Sequence, residues 1–454
     1  MTRLFRSILP CILAVLLPVA ALAQGKAEAK PKASEPAVPQ GGALTIDLNM
    51  LSHGEVRNGG MIDSGSDANE ATDTDNSSRF MMGRERLIID YRRTGLQTYI
   101  NIQHSGLWGQ SGKGAFNVFE AWSRLDRYGM FAQIGRIALA YDDQRIIGTN
   151  DWAVASLSHD VLRLGYEGHG HKAHVILAYN QNAEVTVSGG NYYVNGAQPY
   201  KSMQVLWYHY DLPRVPLGMS LLWMNIGMQS GKEYVKPHTE VQRLLGGYAA
   251  YKPKNWIVEG SYYHQFGNDE YGLDIDAWMA SASVRWSPGA LWSLKAGYDY
   301  LSGDEDFAVP PSSYIGLIRH KTVRGFDAIY GSHHKFYGAM DFFYVSTYVS
   351  GFTPGLQNVY AGVQVIPLKD LTFDAAFHYL ATATTPSDMK RTLGYEVELQ
   401  ASYVIAKDIR LSLGYSYMTG TETMDRLKRA NGDGNLNWGW FSLIVNPRIF
   451  STKW

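Results

Sequence analysis

Among the arginines in residues 1–163 of this 454-residue chain, six invite attention: Arg57, Arg84, Arg86, Arg124, Arg136 and Arg163. A guanidinium stays charged at any ordinary pH and offers a planar fork of donors that grips a carboxylate at two points. Several such groups along one surface can pass an anion from one to the next, which is transit chemistry rather than bond making. Asp47, Glu55, Asp90, Glu120 and Glu167 are interspersed with them. The competing expectation is therefore that the arginines are tied into ion pairs that keep a polar surface rigid. Further along, Glu259, Asp299, Asp374, Glu396 and Glu398 stand against Arg285, Lys295 and Arg410, so a basic arc gives way to a more acidic one.

Bond-making chemistry finds less support. His169, His171 and His174 fall in or beside a glycine-rich turn without a carboxylate at ligand spacing, so no metal site is expected. Ser158 and His159 are neighbours and would point to opposite sides of an extended segment, which gives no nucleophile–base pair. The glycines occur mostly singly within strands and form no phosphate-cradling loop. The expectation is a non-enzyme with no catalytic residue and no cofactor.

The elements that carry the arginines follow a period of two. In 371–380, Leu371, Phe373, Ala375, Phe377 and Tyr379 alternate with Thr372, Asp374, Ala376 and His378. The segments 393–405 and 409–418 repeat the pattern, and a helical period would scatter Glu396 and Glu398 to different faces. About eighteen such segments of roughly ten residues are found between 44 and 446, the length at which a tilted strand crosses a bilayer. Turns after even-numbered segments are short, as at 92–95, 252–255 and 406–408. Connections after odd-numbered ones are mostly long: 58–78, 141–159, 182–201, 303–357 and 420–437. The 303–357 connection is long enough to hide a hairpin.

This alternation predicts an all-β fold, a transmembrane antiparallel β-barrel of about 18 strands with short periplasmic turns and long extracellular loops. With the polar face of each strand turned inward, all six arginines are expected to face its lumen. Tyr298, Tyr300, Tyr415 and Tyr417 at one end and Trp256, Trp286 and Trp292 at the other suit two interfacial girdles. Composition agrees. Aromatic residues make up 13%, charged residues only 18%, and the net charge is −1, which leaves no basic excess for nucleic acid. The expected localisation is the outer membrane of a Gram-negative bacterium, with outer-membrane lipid and lipopolysaccharide as surroundings.

At the N-terminus, Arg3 and Arg6 precede an apolar run and Ala21-Leu22-Ala23, so residues 1–23 read as a signal peptide that carries away Cys11. Residues 24–42 read as a flexible periplasmic linker rich in Lys, Ala and Pro, and 43–454 as the barrel.

Several runs resemble the alginate-export family of outer-membrane channels: GRERLIIDY, HSGLWGQ, VFEAWSRL and QIGRIALAYDDQRIIGTNDW within the first third, then FDAIYGSHHKFYGAMDFFY and GLQNVYAGVQVIPLKDLTFDAAFHYL. The resemblance implies an eighteen-stranded monomeric barrel whose arginine-lined lumen conducts anionic polysaccharide, typified by alginate. It extends to Arg145 in DDQRIIG and Asp341 in YGAMDFF. If the 303–357 loop folds inward, His333, His334 and Lys335 narrow the channel. The expected function is passage of anionic oligo- or polysaccharide or small anions. The alternatives are a barrel that serves as a surface receptor or adhesion platform, and a general small-solute porin.

Overall fold

The computed structural model of the protein describes residues 41–58, 77–110, 114–152, 156–180, 200–232, 235–304, 322–343, 353–385, 389–428 and 436–454. The signal segment and nearly all of the linker lie outside the described residues.

The strands are β1 (Gly42–Asn58), β2 (Ser78–Arg93), β3 (Leu96–Leu107), β4 (Ala115–Arg127), β5 (Met130–Ile137), β6 (His159–Gly168), β7 (His171–Tyr179), β8 (Ser202–Asp211), β9 (Leu217–Lys232), β10 (Val235–Tyr251), β11 (Trp256–Asn268), β12 (Asp274–Trp286) and β13 (Trp292–Leu301). They continue with β14 (Thr322–Val323), β15 (Leu356–Leu368), β16 (Leu371–Ala381), β17 (Thr392–Ala406), β18 (Ile409–Gly420), β19 (Leu436–Val445) and β20 (Arg448–Lys453). Each long strand pairs antiparallel with the next, and β1 closes the sheet by pairing with both β19 and β20. β19 and β20 are one stave broken at Asn446-Pro447, where proline has no N–H to give to the ladder. β14 is a stub parallel to β12. The result is a closed barrel of 18 staves.

Period-two patterning makes this barrel apolar outside. On β16, Phe373 and Phe377 are exposed outward while Asp374, Ala376 and His378 face in, and on β17 Tyr395, Val397 and Leu399 oppose Glu396 and Glu398. Trp256 stacks on Trp286 at 5.6 Å, and Trp286 meets Trp292 edge-on at 5.2 Å, beside the short turns. Such a belt is unfavourable in water and suited to lipid flanked by aromatic girdles.

The interior departs from the expectation of a uniformly polar face. Inward residues Ile176, Met203, Val205, Leu222, Met224, Ile226 and Leu244 on β7 to β10 are buried. They pack in one cluster with Leu139, Tyr141, Ile146 and Ile147 after β5 and with Phe326, Tyr330, Tyr337 and Met340 after β14. An apolar inner wall is stable because two connections fold into the barrel and cover it. Within the described part of 303–357 there is no hairpin, only the β14 stub and this inward segment.

Candidate solute passage

The two inward segments, 138–152 and 324–343, are joined across the lumen. Gly148 N donates to Tyr330 O at 2.8 Å, Tyr330 N to Ile146 O at 3.1 Å and Ser332 N to Gln144 O at 2.9 Å. Gly331 sits where a Cβ would lie 2.2 Å from Arg145 O, so a side chain would part the crossing. Arg145 is buried at this junction: Nη2 donates to Asp299 Oδ1 on β13 at 2.7 Å, Nε to Asp143 Oδ2 at 2.9 Å and Nη1 to the Tyr337 hydroxyl at 3.1 Å. Burial alone would lower its pKa, but Asp299, Tyr337 and Asp143 hold the charge well above the ordinary guanidinium range. Burial likewise pushes the Tyr337 hydroxyl up to about 12. Asp142, accepting from Trp207 Nε1 at 3.1 Å, is raised above the usual carboxylate value by burial, although Ser220 and Trp207 donate to it.

The second segment docks on acidic strands. Met340 N donates to Glu396 Oε1 at 2.8 Å and Ala339 N to Glu398 Oε1 at 2.7 Å. Gly338 has φ +94°, and a Cβ there would fall 2.2 Å from Glu396 Oε2, so glycine alone permits this approach. His334 bonds Asp341 Oδ2 at 2.8 Å and stacks on Trp152 from the first segment at 4.1 Å. Lys335 Nζ donates to Asp143 O at 2.8 Å. His333 belongs to the same 3-10 turn, His333–Lys335.

Five of the six wall arginines face the lumen. Arg84 and Arg86 are buried against the first segment, with Arg86 Nη1 to Asp151 Oδ1 at 2.8 Å, Arg84 Nη1 to Asp151 O at 2.9 Å, and Arg86 Nε to Gln103 at 2.8 Å. Their partner is thus a loop aspartate absent from the carboxylates that sequence patterning offered. Arg57 Nε donates to Glu55 Oε2 at 2.7 Å, as one of those pairings proposed. Arg124 grips Asp126 at 2.7 Å and lies 3.8 Å over Phe131. Arg163 donates to Gln133 and lies over the same ring at 5.3 Å.

Arg136 corrects the expectation that all six face inward. It pairs in register with Ala121 and Asp160 and shares its face with Ile134 and Met130, which are exposed outward. Its guanidinium holds Asp160 bidentately at 2.7 and 2.8 Å on the outer surface. The polar-inward rule fails here because Phe131, Gln133 and Ile137 take the inner face, under Arg124, Arg163 and the inward loop.

Asp151 and Trp152 close the run QIGRIALAYDDQRIIGTNDW that carries the family resemblance, but sequence reasoning gave them no contacts, because their connection carries no periodic signal. Sequence reasoning also missed the chain Ser442–His53–Glu55, with 2.6 and 3.0 Å contacts. All three members are buried, His53 lies against Trp152 and Trp440, and the chain is a strut of the wall. Below the loops a cavity of about 180 Å³ remains, lined by Arg285, Lys295, Asp374, Glu398, His334 and Trp440 among others.

No protein-family model matches the sequence, and no curated protein matches it. Solved structures do match. OccK11 (OpdR) of Pseudomonas aeruginosa superposes with a TM-score of 0.59 at 10% identity, over 90% of this chain and 96% of that one. OpdO of the same organism gives 0.59 at 12% identity over 90% and 98%. OccK2 (OpdF), solved in complex with glucuronate, gives 0.57 at 10% over 90% and 98%. The expectation of an alginate-export barrel therefore gives way to a coarser statement: this chain has the 18-strand barrel fold shared by the Occ and Opd outer-membrane porins.

Proposed function

We propose that the protein is an outer-membrane channel for small anionic solutes. The observation that carries this reading is the joining of two inward loops across an arginine-bearing lumen, centred on Arg145–Asp299. Loops hydrogen-bonded to each other and to opposite walls leave a narrow path, which favours single small molecules over a bulky polysaccharide. Arg57, Arg84, Arg86, Arg124 and Arg163 lie along one arc of that path. Four of them pair with three carboxylates, Glu55, Asp151 and Asp126, and Arg163 bonds Gln133. The five guanidiniums thus outnumber their paired carboxylates and leave positive charge to attract a solute carboxylate. The fold shared with the Occ and Opd porins, one of them solved with glucuronate, supports small solutes as the cargo class. Reconstitution in planar bilayers tests it. The pure folded protein should give discrete openings and a reversal potential in a salt gradient that favours anions; a silent bilayer would return the barrel to the role of a surface platform.

A further inference from the structure

The cavity beneath the loops has a charge arrangement that passage of simple anions does not require. Arg285 and Lys295 are direct cross-strand partners on β12 and β13. Two like charges face to face destabilise a sheet. Neither forms an ion pair with a carboxylate among the described residues. From Lys295 the row runs to Gly362 on β15, Ala376 on β16 and Glu398 on β17. Two residues nearer the turns, Asp374 stands between Gln364 and Gln400.

Both carboxylates line the same cavity as the two cations, yet neither reaches them. Glu398 Oε1 accepts from Ala339 N and has the His378 ring 3.3 Å away, while Asp374 Oδ1 accepts from Gln364 Nε2 at 2.8 Å. With strands about 4.8 Å apart, Lys295 is roughly 10 Å from the Asp374 strand and roughly 14 Å from that of Glu398. Gly362 and Ala376 keep the floor between them open. At roughly 10 Å such opposite charges attract each other by less than the thermal energy in water, so the staves hold both pairs open to a solute that bridges them.

We infer that this cavity is a binding station for elongated zwitterions, with the solute carboxylate on Arg285 and Lys295 and its ammonium on Asp374 and Glu398. The inference rests on the channel reading. A solute with both charges on one carbon is too short to engage both ends, whereas a three-residue chain spans roughly 10 Å. Trp440 on β19, two strands beyond that of Glu398, also lines the cavity.

Triglycine and triglycine amide match in size and differ in terminal charge. N-acetyl-triglycine is longer by one acetyl group, so tetraglycine, longer still and zwitterionic, is its size control and should enter faster than it. In liposomes containing the folded full-length barrel, triglycine should enter several-fold faster than either capped form and should reduce single-channel current at lower concentration. Lys295→Met with Arg285→Gln should remove the advantage, and so should Asp374→Asn with Glu398→Gln, which keeps an acceptor for Ala339 N. Equal entry of triglycine and N-acetyl-triglycine through the unaltered protein, or an advantage that survives both double variants, overturns the inference and leaves the anion channel standing. Exclusion of all four peptides together with chloride overturns the channel reading itself.

Discussion

Arg145 Nη2 lies 2.7 Å from Asp299 Oδ1, both side chains buried, although one residue follows β5 and the other belongs to β13 on a distant part of the wall. An ion pair that spans a barrel interior fixes where a loop sits, because breaking one partner of a buried pair leaves the other charge unsolvated. Arg145 keeps Asp143 after Asp299→Ala, so the docked loop should be destabilised by less than the roughly 3–5 kcal/mol of a fully broken buried pair. The expected readout is a larger and noisier single-channel current from a barrel that still resists detergent unfolding; an unchanged current would show that Arg145 does not hold the constriction.

Gly338→Ala should lift the second segment from Glu396. The added methyl meets a carboxylate oxygen at a backbone angle that L-residues resist, at a cost of about 1–2 kcal/mol for the angle alone. Cysteine accessibility reports it, since the only cysteine of the chain is Cys11. A thiol introduced as Met340→Cys should be protected with Gly338 present and react quickly in the alanine background.

Period-two alternation made the staves and the outward belt legible, as with Phe373 and Phe377 against Asp374. It also placed Arg84 and Arg86 inside. It failed at Arg136 because polarity predicts the inner face only where that face meets water. Beside Phe131 and Ile137 it meets another side chain or a loop. The docking of Asp151 on Arg86 and of Ala339 on Glu398 was invisible because aperiodic loop sequence carries no signal for what it will touch.

Arg86→Ala and Arg136→Ala should therefore differ. Loss of Arg86 removes a lumen cation and leaves Asp151 to Arg84 alone among the arginines, and about 1 kcal/mol of altered potential is roughly fivefold in relative anion permeability. Arg136 pairs with Asp160 on the outer face, so its loss should leave the reversal potential where it was. A shift from Arg136→Ala as large as that from Arg86→Ala would contradict the assigned facing.

Asp142 gives a pH dependence with a definite sign. Its pKa in the folded loop is raised above the ordinary carboxylate value, so the protonated form is favoured by docking. Docking is strongest below the unfolded pKa of about 4 and weakens as pH rises through the folded value. Loop-closure lifetimes in single-channel records should lengthen on acidification, and Asp142→Asn should show the long lifetimes already at neutral pH. A variant that keeps the full pH dependence would assign it to another group.

The central claim is that the inward loops set the size of the path. Replacing 324–343 by a short glycine–serine linker and comparing single-channel conductance with the intact protein in the same bilayer tests it most directly. Small discrete openings for the intact protein and a several-fold larger conductance for the linker variant are expected; equal conductance from two folded barrels would contradict the claim.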